Sequence, residues 1–358
     1  MKRYGTDLLE YLCQKFGPTG FENEVADAII EQLGNDCDKV VKDSFGNVYA
    51  VVNGEGQAPR DRIMVSSHMD EVGFMITSID EDGYIKFSNL GGIDPKVLYG
   101  KQVTLGNESK RINGVIAAKA IHHKKREDRF SVTPIKEMYI DIGAKDGDEV
   151  REYVNVGDFG VFNSDFVFFG TDNKYAKGKA IDDRAGCCAM IEVIRKIREE
   201  NIALPFDVYF CFTVREEVGL SGARVAAERV KPSRAIILET TAIGDIAGAP
   251  AHKRVADVGS GGVVSLMDRS TIYNTEFVNF TLDTAKSNDI KAQVKRYVSG
   301  GNDAGHIHKS DAGVKALAIS VPTRYLHSPA CVATLDDYES VRDLVEAIIR
   351  NADRLKKN

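Results

Sequence analysis

Histidine and acidic residues occur at five separate places in this chain. Each place is predicted to be the end of a strand, the start of a helix or a loop. In chain order they are His68 and Asp70, Asp182 and Asp183, Glu216 and Glu217, Glu239, and His327. Buried strands seldom end in carboxylates unless a cation or an arginine neutralises them. Imidazole and carboxylate groups bind divalent metals, and a further carboxylate can act as a general base. The series therefore predicts a site for two divalent metals and one base.

His68 and Asp70 lie two residues apart, so on a strand their side chains point to the same face. Asp70 can then accept a hydrogen bond from the imidazole nitrogen that does not face the metal, which fixes the tautomer. On its own this pair fits better with a structural histidine beside a solvated aspartate. The metal interpretation is favoured because the other segments supply the same kinds of group.

Asp182 and Asp183 stand immediately before a predicted helix that runs from Ala185 to Glu200. Capping of a helix explains one aspartate more easily than two. A carboxylate can bridge two metals that lie about 3.5 to 4 Å apart. We therefore expect Asp182 to be the shared ligand, and Asp183 either to cap the helix or to pair with Arg184.

Glu216 and Glu217 follow the most hydrophobic predicted strand, Val208 to Val214. Because adjacent side chains diverge, one glutamate can bind metal while the other serves as general base and acid; the alternative is an exposed, solvated pair. A lone histidine such as His327 is more often structural, so its assignment depends on the other ligands. The candidates divide evenly into two sets that share an aspartate: His68, Asp182 and Glu239, and Asp182, Glu217 and His327.

The elements that must position these residues predict an α/β fold with a second, smaller unit inserted in it. The chain has 358 residues, more than one hydrophobic core usually organises. Residues 1–71 and 165–358 alternate helices and strands, which predicts a mixed-sheet catalytic domain with helices on both faces. Residues 72–164 carry short strands and many glycines, which predicts a small β-barrel. In open α/β sheets, sites gather at the carboxyl ends of strands, where the candidate ligands are predicted to lie.

Composition excludes several classes of protein. The net charge is −6, 28% of residues are charged and 43% are hydrophobic, which favours a soluble globular chain and argues against nucleic-acid binding. No apolar signal segment or membrane-spanning stretch is recognisable, so we expect a cytoplasmic protein. The six scattered cysteines are predicted to be reduced core residues. The run from His122 to Arg126 is predicted to be a solvated surface loop, and Thr19 with Glu22 predicts a capping box for the second helix.

Five motifs together resemble those of the M42 peptidases, a family of dinuclear metallo-aminopeptidases whose oligomers are called TET particles. The resemblance covers nearly the whole chain and rests on these segments: Ser67-His68-Met69-Asp70-Glu71-Val72-Gly73, Ala180-Ile181-Asp182-Asp183-Arg184-Ala185-Gly186, Thr213-Val214-Arg215-Glu216-Glu217-Val218-Gly219, Gly300-Gly301-Asn302-Asp303-Ala304 and Arg324-Tyr325-Leu326-His327-Ser328-Pro329. It implies a set of metal ligands: His68, Asp182, Glu217, Glu239 and His327. It also implies that Glu216 is the catalytic base and that Asp70 orients His68.

The resemblance further implies two metal ions per subunit, zinc or cobalt in the first place and manganese as an alternative. It makes the inserted barrel a dimerisation domain and implies dimers that assemble into a tetrahedral dodecamer acting on short peptides. Two positions depart from the family pattern. Glu239 stands where aspartate is common, and Asn302 replaces the usual threonine, which alters the local hydrogen bonding.

The hypothesis that follows is an aminopeptidase that hydrolyses N-terminal residues from short peptides with a metal-activated water and Glu216 as base. The alternatives are a related dinuclear hydrolase, such as an N-deacylase or carboxypeptidase, and a non-catalytic metal-dependent binding protein. The preferred N-terminal residue is left open. Arg269 and Lys309 are candidates for attracting an acidic substrate side chain, with surface cations as the alternative interpretation.

Overall fold

The structure is a computed structural model that describes residues 2–355. Residue 1 and residues 356–358, the two ends of the predicted catalytic domain, therefore lie outside the described part. In chain order its strands are β1 (Lys39–Lys42), β2 (Val48–Val52), β3 (Arg62–His68), β4 (Gly73–Ile79), β5 (Ile85–Leu90), β6 (Gln102–Gly106), β7 (Arg111–Ala117), β8 (Tyr139–Asp141), β9 (Phe159–Phe162), β10 (Val167–Phe169), β11 (Tyr175–Gly178), β12 (Asp207–Thr213), β13 (Arg234–Ala242), β14 (Gly262–Val264), β15 (Ala292–Val294), β16 (Lys315–Thr323) and β17 (Cys331–Thr334).

The α-helices of the described residues vary from single turns to long core helices. In chain order they are α1 (Gly5–Gln14), α2 (Asn23–Leu33), α3 (Pro95–Leu98), α4 (Gly147–Arg151), α5 (Ile181–Glu199), α6 (Ser221–Val230), α7 (Thr275–Ser287), α8 (Ala304–Ile307) and α9 (Leu335–Asn351). Short 3-10 turns also occur, three of them at Ile121–His123, Arg126–Asp128 and Ile135–Glu137. The backbone at Asp182 and Asp183 is not helical, so the regular turns of α5 begin after them.

A mixed sheet of eight strands forms the larger part of the molecule, in the order β1-β2-β12-β3-β13-β16-β14-β15. Its four central strands, β12, β3, β13 and β16, are parallel to one another. Residues 234–241 of β13 are all buried, which indicates that the centre of the sheet is covered on both faces. The predicted α/β class with a mixed sheet is confirmed.

The inserted unit is a closed barrel of six strands in the order β4-β5-β8-β7-β6-β9. Its interior is a separate hydrophobic cluster in which Phe74 packs edge-on against Phe87 and Phe162. The β-barrel that the glycine-rich sequence predicts is thus present. Because the barrel has its own core, it is a compact unit beside the sheet.

The predicted capping box at the start of α2 is wrong. Helix α2 begins at Asn23, and no side chain of the described residues caps it. The Glu22 carboxylate instead accepts hydrogen bonds from the backbone N–H groups of Gly20 (2.7 Å) and Arg215 (3.2 Å). Glu22 therefore connects the N-terminal region to the loop that carries Glu216.

The cysteines are free thiols; five are buried, and Cys37 is partly exposed. The interpretation of the cysteines as reduced core residues is therefore confirmed for the buried five. No helix within residues 2–355 is long and apolar enough to span a bilayer.

Candidate metal centre and active-site cleft

The side chains predicted to bind metal are carried to one place by the carboxyl ends of the four central strands. The strands β3 and β12 end level with each other, since His68 pairs in register with Thr213. The residues delivered in this way are His68 at the end of β3, Glu216 and Glu217 after β12, Glu239 in β13 and His327 after β16. Asp182, at the start of α5, completes the cluster. Parallel pairing thus brings distant segments together, as the strand-end rule predicts.

Asp182 lies between the two imidazoles and presents one oxygen to each. Its Oδ1 atom lies 3.3 Å from His68 Nε2, and its Oδ2 atom lies 3.3 Å from His327 Nε2. Glu239 Oε1 is 3.2 Å from His68 Nε2, and Glu217 Oε2 is 3.4 Å from His327 Nε2. Three groups of possible ligand atoms, each within 4.8 Å of one another, are present among the described residues. Two of them share the Asp182 carboxylate, and the third joins His68, Glu216 and Glu217.

Both imidazoles are oriented by backbone carbonyls. His68 Nδ1 lies 3.0 Å from the carbonyl oxygen of Asp70, and His327 Nδ1 lies 2.7 Å from that of Gly92. Because a carbonyl oxygen can only accept, each Nδ1 carries a hydrogen, and in neutral imidazole the lone pair is then on Nε2. In neutral imidazoles these lone pairs would face carboxylate oxygens, an arrangement that is stable only when a proton or a cation lies between them.

The cluster leaves buried oxygen atoms without hydrogen bonds. Within the described residues, Asp182 Oδ1, Glu217 Oε1 and Glu239 Oε2 have no hydrogen-bond partner. Unpaired buried carboxylate oxygens are costly, and a bound cation would satisfy them. The donor set of two imidazoles and three carboxylates therefore fits divalent metal ions.

The pKa values of these groups reflect crowding of like charges away from water. Burial raises the pKa of Glu217 to about 8, with the Asp182 charge adding to the effect. Burial likewise raises the pKa of Glu239 well above its usual range. Burial also opposes ionisation of Asp182, but the adjacent imidazoles of His327 and His68, each 3.3 Å away, outweigh it and lower the Asp182 pKa. One carboxylate is thus held ionised between the imidazoles while its neighbours favour protons in the absence of metal.

Glu216 differs from the other acidic groups because its carboxylate makes no hydrogen bond or ion pair within residues 2–355. It lines the cleft, and burial raises its pKa well above the usual value. The backbone N–H groups of Glu216 and Glu217 donate to the two oxygens of Asp70, at 3.0 and 3.1 Å. Asp70 therefore fixes the direction of both glutamates. Its carboxylate lies 3.6 Å from His68 Nδ1, so the imidazole bonds chiefly to the Asp70 carbonyl and not, as predicted, to its side chain.

Of the two roles predicted for Asp183, capping occurs and pairing with Arg184 does not. Asp183, which follows a cis peptide bond, accepts hydrogen bonds from the Gly186 N–H at 3.1 Å and the Ser67 hydroxyl at 2.6 Å. Arg184 is fully buried and binds Glu71 at 3.3 Å together with the carbonyls of Met69, Leu12 and Gly17. Arg184 thus ties α1 and the end of β3 to α5.

The inserted barrel contributes backbone to the cluster through the turn after β5. Gly92 supplies the carbonyl that orients His327. Its neighbour Gly91 has a φ of +85°, and a Cβ atom there would lie 3.2 Å from Glu217 Oε2 and 2.8 Å from a Val72 methyl group. Glycine is required at this position because the backbone approaches the cluster closely in a left-handed conformation.

A cleft of about 590 Å³ opens above the cluster and contains a cation that the sequence did not single out. Lys295, just after β15, lines this cleft, whereas Arg269 and Lys309 are exposed and do not line it. Neither of those two candidates therefore reaches the site as folded here. No pattern around Lys295 marks it out, because its position depends on the pairing of a three-residue edge strand with β14.

The segment around Asn302 and Asp303 supports the floor of the cleft. Asn302 accepts a hydrogen bond from the Ala304 N–H at 2.9 Å and donates to the Tyr273 hydroxyl at 3.1 Å. Asp303 is buried and accepts from the Thr213 hydroxyl at 2.7 Å. The Asn302 side chain therefore has a local partner for both its oxygen and its nitrogen.

The chain is similar in sequence and in structure to known peptidases. The sequence profile described as M42 glutamyl aminopeptidase matches residues 46–344. The solved TET aminopeptidase from the marine sediment archaeon Thaumarchaeota archaeon SCGC AB-539-E09 is 37% identical, with a TM-score of 0.92 over 96% of this chain and 95% of that one. The Pyrococcus horikoshii TET1 peptidase, described as able to assemble into a tetrahedron or a large octahedral shell, is 33% identical, with a TM-score of 0.84 over 96% and 98%. The lysyl aminopeptidase of Pyrococcus furiosus is 29% identical over 96% of each chain.

Proposed function

The chain belongs to the M42 peptidase family and is a peptide hydrolase, and from this premise we propose that it is a metal-dependent aminopeptidase with two divalent cations. The proposed ligands are His68, Asp182, Glu217, Glu239 and His327. The observation that carries the proposal is the Asp182 carboxylate, whose two oxygens face two different imidazoles at the same distance of 3.3 Å. A carboxylate shared in this way suits a pair of neighbouring cations, for which zinc, cobalt and manganese are the candidates.

Bound cations would supply a water of lowered pKa and polarise the scissile carbonyl. Glu216 accepts the proton of the attacking water on its carboxylate oxygen and then donates it to the nitrogen of the leaving amine. Its unpaired carboxylate and its place in the cleft support this role. Asp70 acts as a positioning residue, since it holds the backbone N–H groups of Glu216 and Glu217.

The Glu216→Gln variant tests this mechanism. Loss of general acid–base catalysis should reduce kcat by about 10²- to 10⁴-fold, while the metal content stays unchanged because Glu216 is outside the proposed ligand set. Turnover of aminoacyl anilides and metal analysis of the purified variant are the two measurements. Near-normal turnover would contradict the assignment. Release of C-terminal instead of N-terminal residues from a peptide panel would favour the carboxypeptidase alternative.

We further propose that Lys295 gives the cleft a preference for acidic N-terminal residues. Its ammonium donates one hydrogen bond, to the Ser299 carbonyl at 2.9 Å, and no carboxylate of the described residues lies within 4 Å of it. The nearby Asp268 carboxylate is already used by the Tyr273 hydroxyl and by the Ser270 and Thr271 N–H groups. The lysine can therefore bind a substrate carboxylate, whereas Asp268 is not free to bind a substrate ammonium group.

The Lys295→Met variant should lower kcat/KM for glutamyl anilide by about 10- to 100-fold relative to leucyl anilide, as expected for loss of one charged hydrogen bond. The matched control is Arg269→Met, which removes an exposed cation outside the cleft and should leave the ratio unchanged. A strong preference of the unaltered protein for leucyl or lysyl anilides would overturn this part of the proposal.

We also propose a homo-oligomer in which the barrel, residues 72–164 in the predicted division, mediates dimerisation. The similarity to a TET1 peptidase that forms closed shells supports this proposal. Light scattering should give a particle near twelve chains if the tetrahedral assembly forms. A fully active monomer would contradict it.

A further inference from the structure

A second cavity of about 620 Å³ lies on the barrel, between α3 and the segment of 3-10 turns that follows β7. Five of the residues that line it can carry positive charge: Lys96, Lys119, His122, Lys124 and Arg129. No aspartate or glutamate of the described residues lines it, although the whole chain has a net charge of −6. We call this cavity the basic groove.

The cations of the basic groove are largely without partners. Lys124 donates to the Thr133 hydroxyl at 2.7 Å. Lys96, Lys119 and Arg129 are exposed, and none of them pairs with a carboxylate within residues 2–355. Their charges are therefore free to attract an anionic group from outside the chain.

Large apolar side chains stand among these cations and are also unpacked. Phe130 is 93% exposed, and Tyr99, Ile121 and Val132 are each about half exposed. A cluster of exposed apolar side chains rimmed by charge is typical of a binding surface. The chemistry of the groove thus fits a flexible ligand with both carboxylates and apolar side chains.

The groove lies beside the active-site cleft, on the other side of the single turn α3. Asp94 and Val97 line the cleft, whereas Pro95, Lys96 and Tyr99 of the same segment line the groove. A helical turn with its side chains is about 10 to 12 Å wide. An extended peptide covers this distance with about four residues, so one chain can occupy both cavities.

Resting on the proposed function, we propose that the basic groove binds the carboxyl-terminal part of the peptide substrate while its N-terminal residue occupies the cleft. The recognised chemistry is a carboxylate beside an apolar side chain. That carboxylate comes either from an acidic residue or from the C-terminus of the peptide. The groove would then select substrates by length and by distal charge, independently of the N-terminal residue.

Kinetics on a series of peptides with one fixed N-terminal residue tests the proposal. We expect KM to fall once the peptide is long enough to pass α3, and to fall further when its distal residues are acidic. In the double variant Lys119→Glu and Arg129→Glu, kcat/KM for a long acidic peptide should drop on the order of tenfold or more, mainly through KM. Hydrolysis of an aminoacyl anilide, which cannot reach the groove, should stay unchanged. Amidated and free C-termini distinguish the two sources of the carboxylate.

The matched control is the double variant Lys125→Glu and Arg126→Glu, which makes the same change of charge in the same segment but outside the groove lining. Its kcat/KM for the long acidic peptide should stay within about twofold of that of the unaltered protein, because exposed charges outside the groove contribute little to binding. Phe130→Ser provides a second variant without a charge change and should raise KM only for long peptides.

Three outcomes would overturn the proposal. They are a KM that is independent of peptide length, an equal loss in the control variant, and a smaller particle by light scattering in the groove variants, which would make the groove a contact between copies of this chain. If the unaltered protein hydrolysed no aminoacyl anilide, the proposed function itself would fail. If it hydrolysed anilides but showed no length dependence, only the role of the groove would fail.

Discussion

The cleft and the basic groove have similar volumes, about 590 and 620 Å³, but they are built in opposite ways. In the cleft, buried carboxylates and imidazoles are brought into contact by the ends of four paired strands. In the groove, mostly exposed cations are carried by a single helical turn and by the segment between β7 and β8, which contains the 3-10 turns. Buried charges cannot relax into water, whereas exposed charges are solvated. Substitutions in the cleft should therefore have large effects on metal binding and activity. Changes of charge in the groove should have smaller effects on peptide hydrolysis, and these should depend on the salt concentration.

The largest effect should come from Asp182→Asn. This change keeps the shape of the shared side chain but removes the charge that both imidazoles face. Mutation of residues that only hydrogen-bond to metal ligands typically lowers metal affinity by about 10- to 100-fold. Because Asp182 is itself a proposed ligand, we expect metal affinity to fall by more than about 100-fold, with a parallel loss of activity. Metal titration monitored by calorimetry measures the first quantity.

Asp94→Asn is the matched control, because Asp94 lines the same cleft but belongs to none of the three groups of possible metal ligands. Its side chain accepts a hydrogen bond from the Lys96 N–H, a capping role that asparagine fills equally well. If both variants lost metal to the same extent, the total charge of the cleft would matter and not the position of Asp182.

An intermediate effect is expected on the stability of the metal-free protein. Burial raises the pKa of Glu217 to about 8 and that of Asp183 to about 7, above the values near 4 of unfolded chains. The folded state therefore binds more protons in this range, and the stability so gained is complete below about pH 4 and is lost as pH rises through 7 and 8. The Tm of the metal-free protein should fall between pH 6 and 9.

The Tm of the metal-loaded protein should depend less on pH over the same range, because cations offset the charge of the ionised carboxylates. Glu217→Gln should also flatten the profile of the metal-free protein. Equal slopes with and without metal would mean that these carboxylates are not the groups that titrate.

The smallest effect should be the salt dependence of the groove. Raising the ionic strength from about 0.05 to 0.5 M shortens the range of exposed charges to a few ångströms. For a long acidic peptide we expect kcat/KM to fall by up to about fivefold, the limit for an exposed ion pair. The anilide rate should change less, and an identical salt response of both substrates would remove the distinction between the two cavities.

The convergence of the candidate metal ligands is predictable from the sequence because it depends on the ends of parallel strands. The ends of parallel strands coincide in space, so the order of strands and the type of residue after each one predicted the convergence of His68, Glu217 and Glu239. Asp182 as the residue common to both groups also agrees with the geometry. Their roles as ligands stay a prediction until metal is measured.

Other features depend on contacts that no local pattern contains. Arg184 was predicted as a possible partner of Asp183, but it turns to Glu71 and three backbone carbonyls from distant segments. Lys295 enters the cleft only through an edge strand of three residues. The run from His122 to Arg126 is exposed as expected, yet its relation to α3 and Phe130 requires the folded barrel.

The bond between the Gly92 carbonyl and His327 Nδ1 crosses from the inserted barrel to the sheet. Excising the insertion to make a minimal enzyme would therefore untether this imidazole, even though every proposed ligand lies outside the barrel. A graft of another barrel would need a carbonyl at the same point. Any shift of the turn that carries Gly92, for instance during assembly of subunits, would rotate the His327 ring through this hydrogen bond.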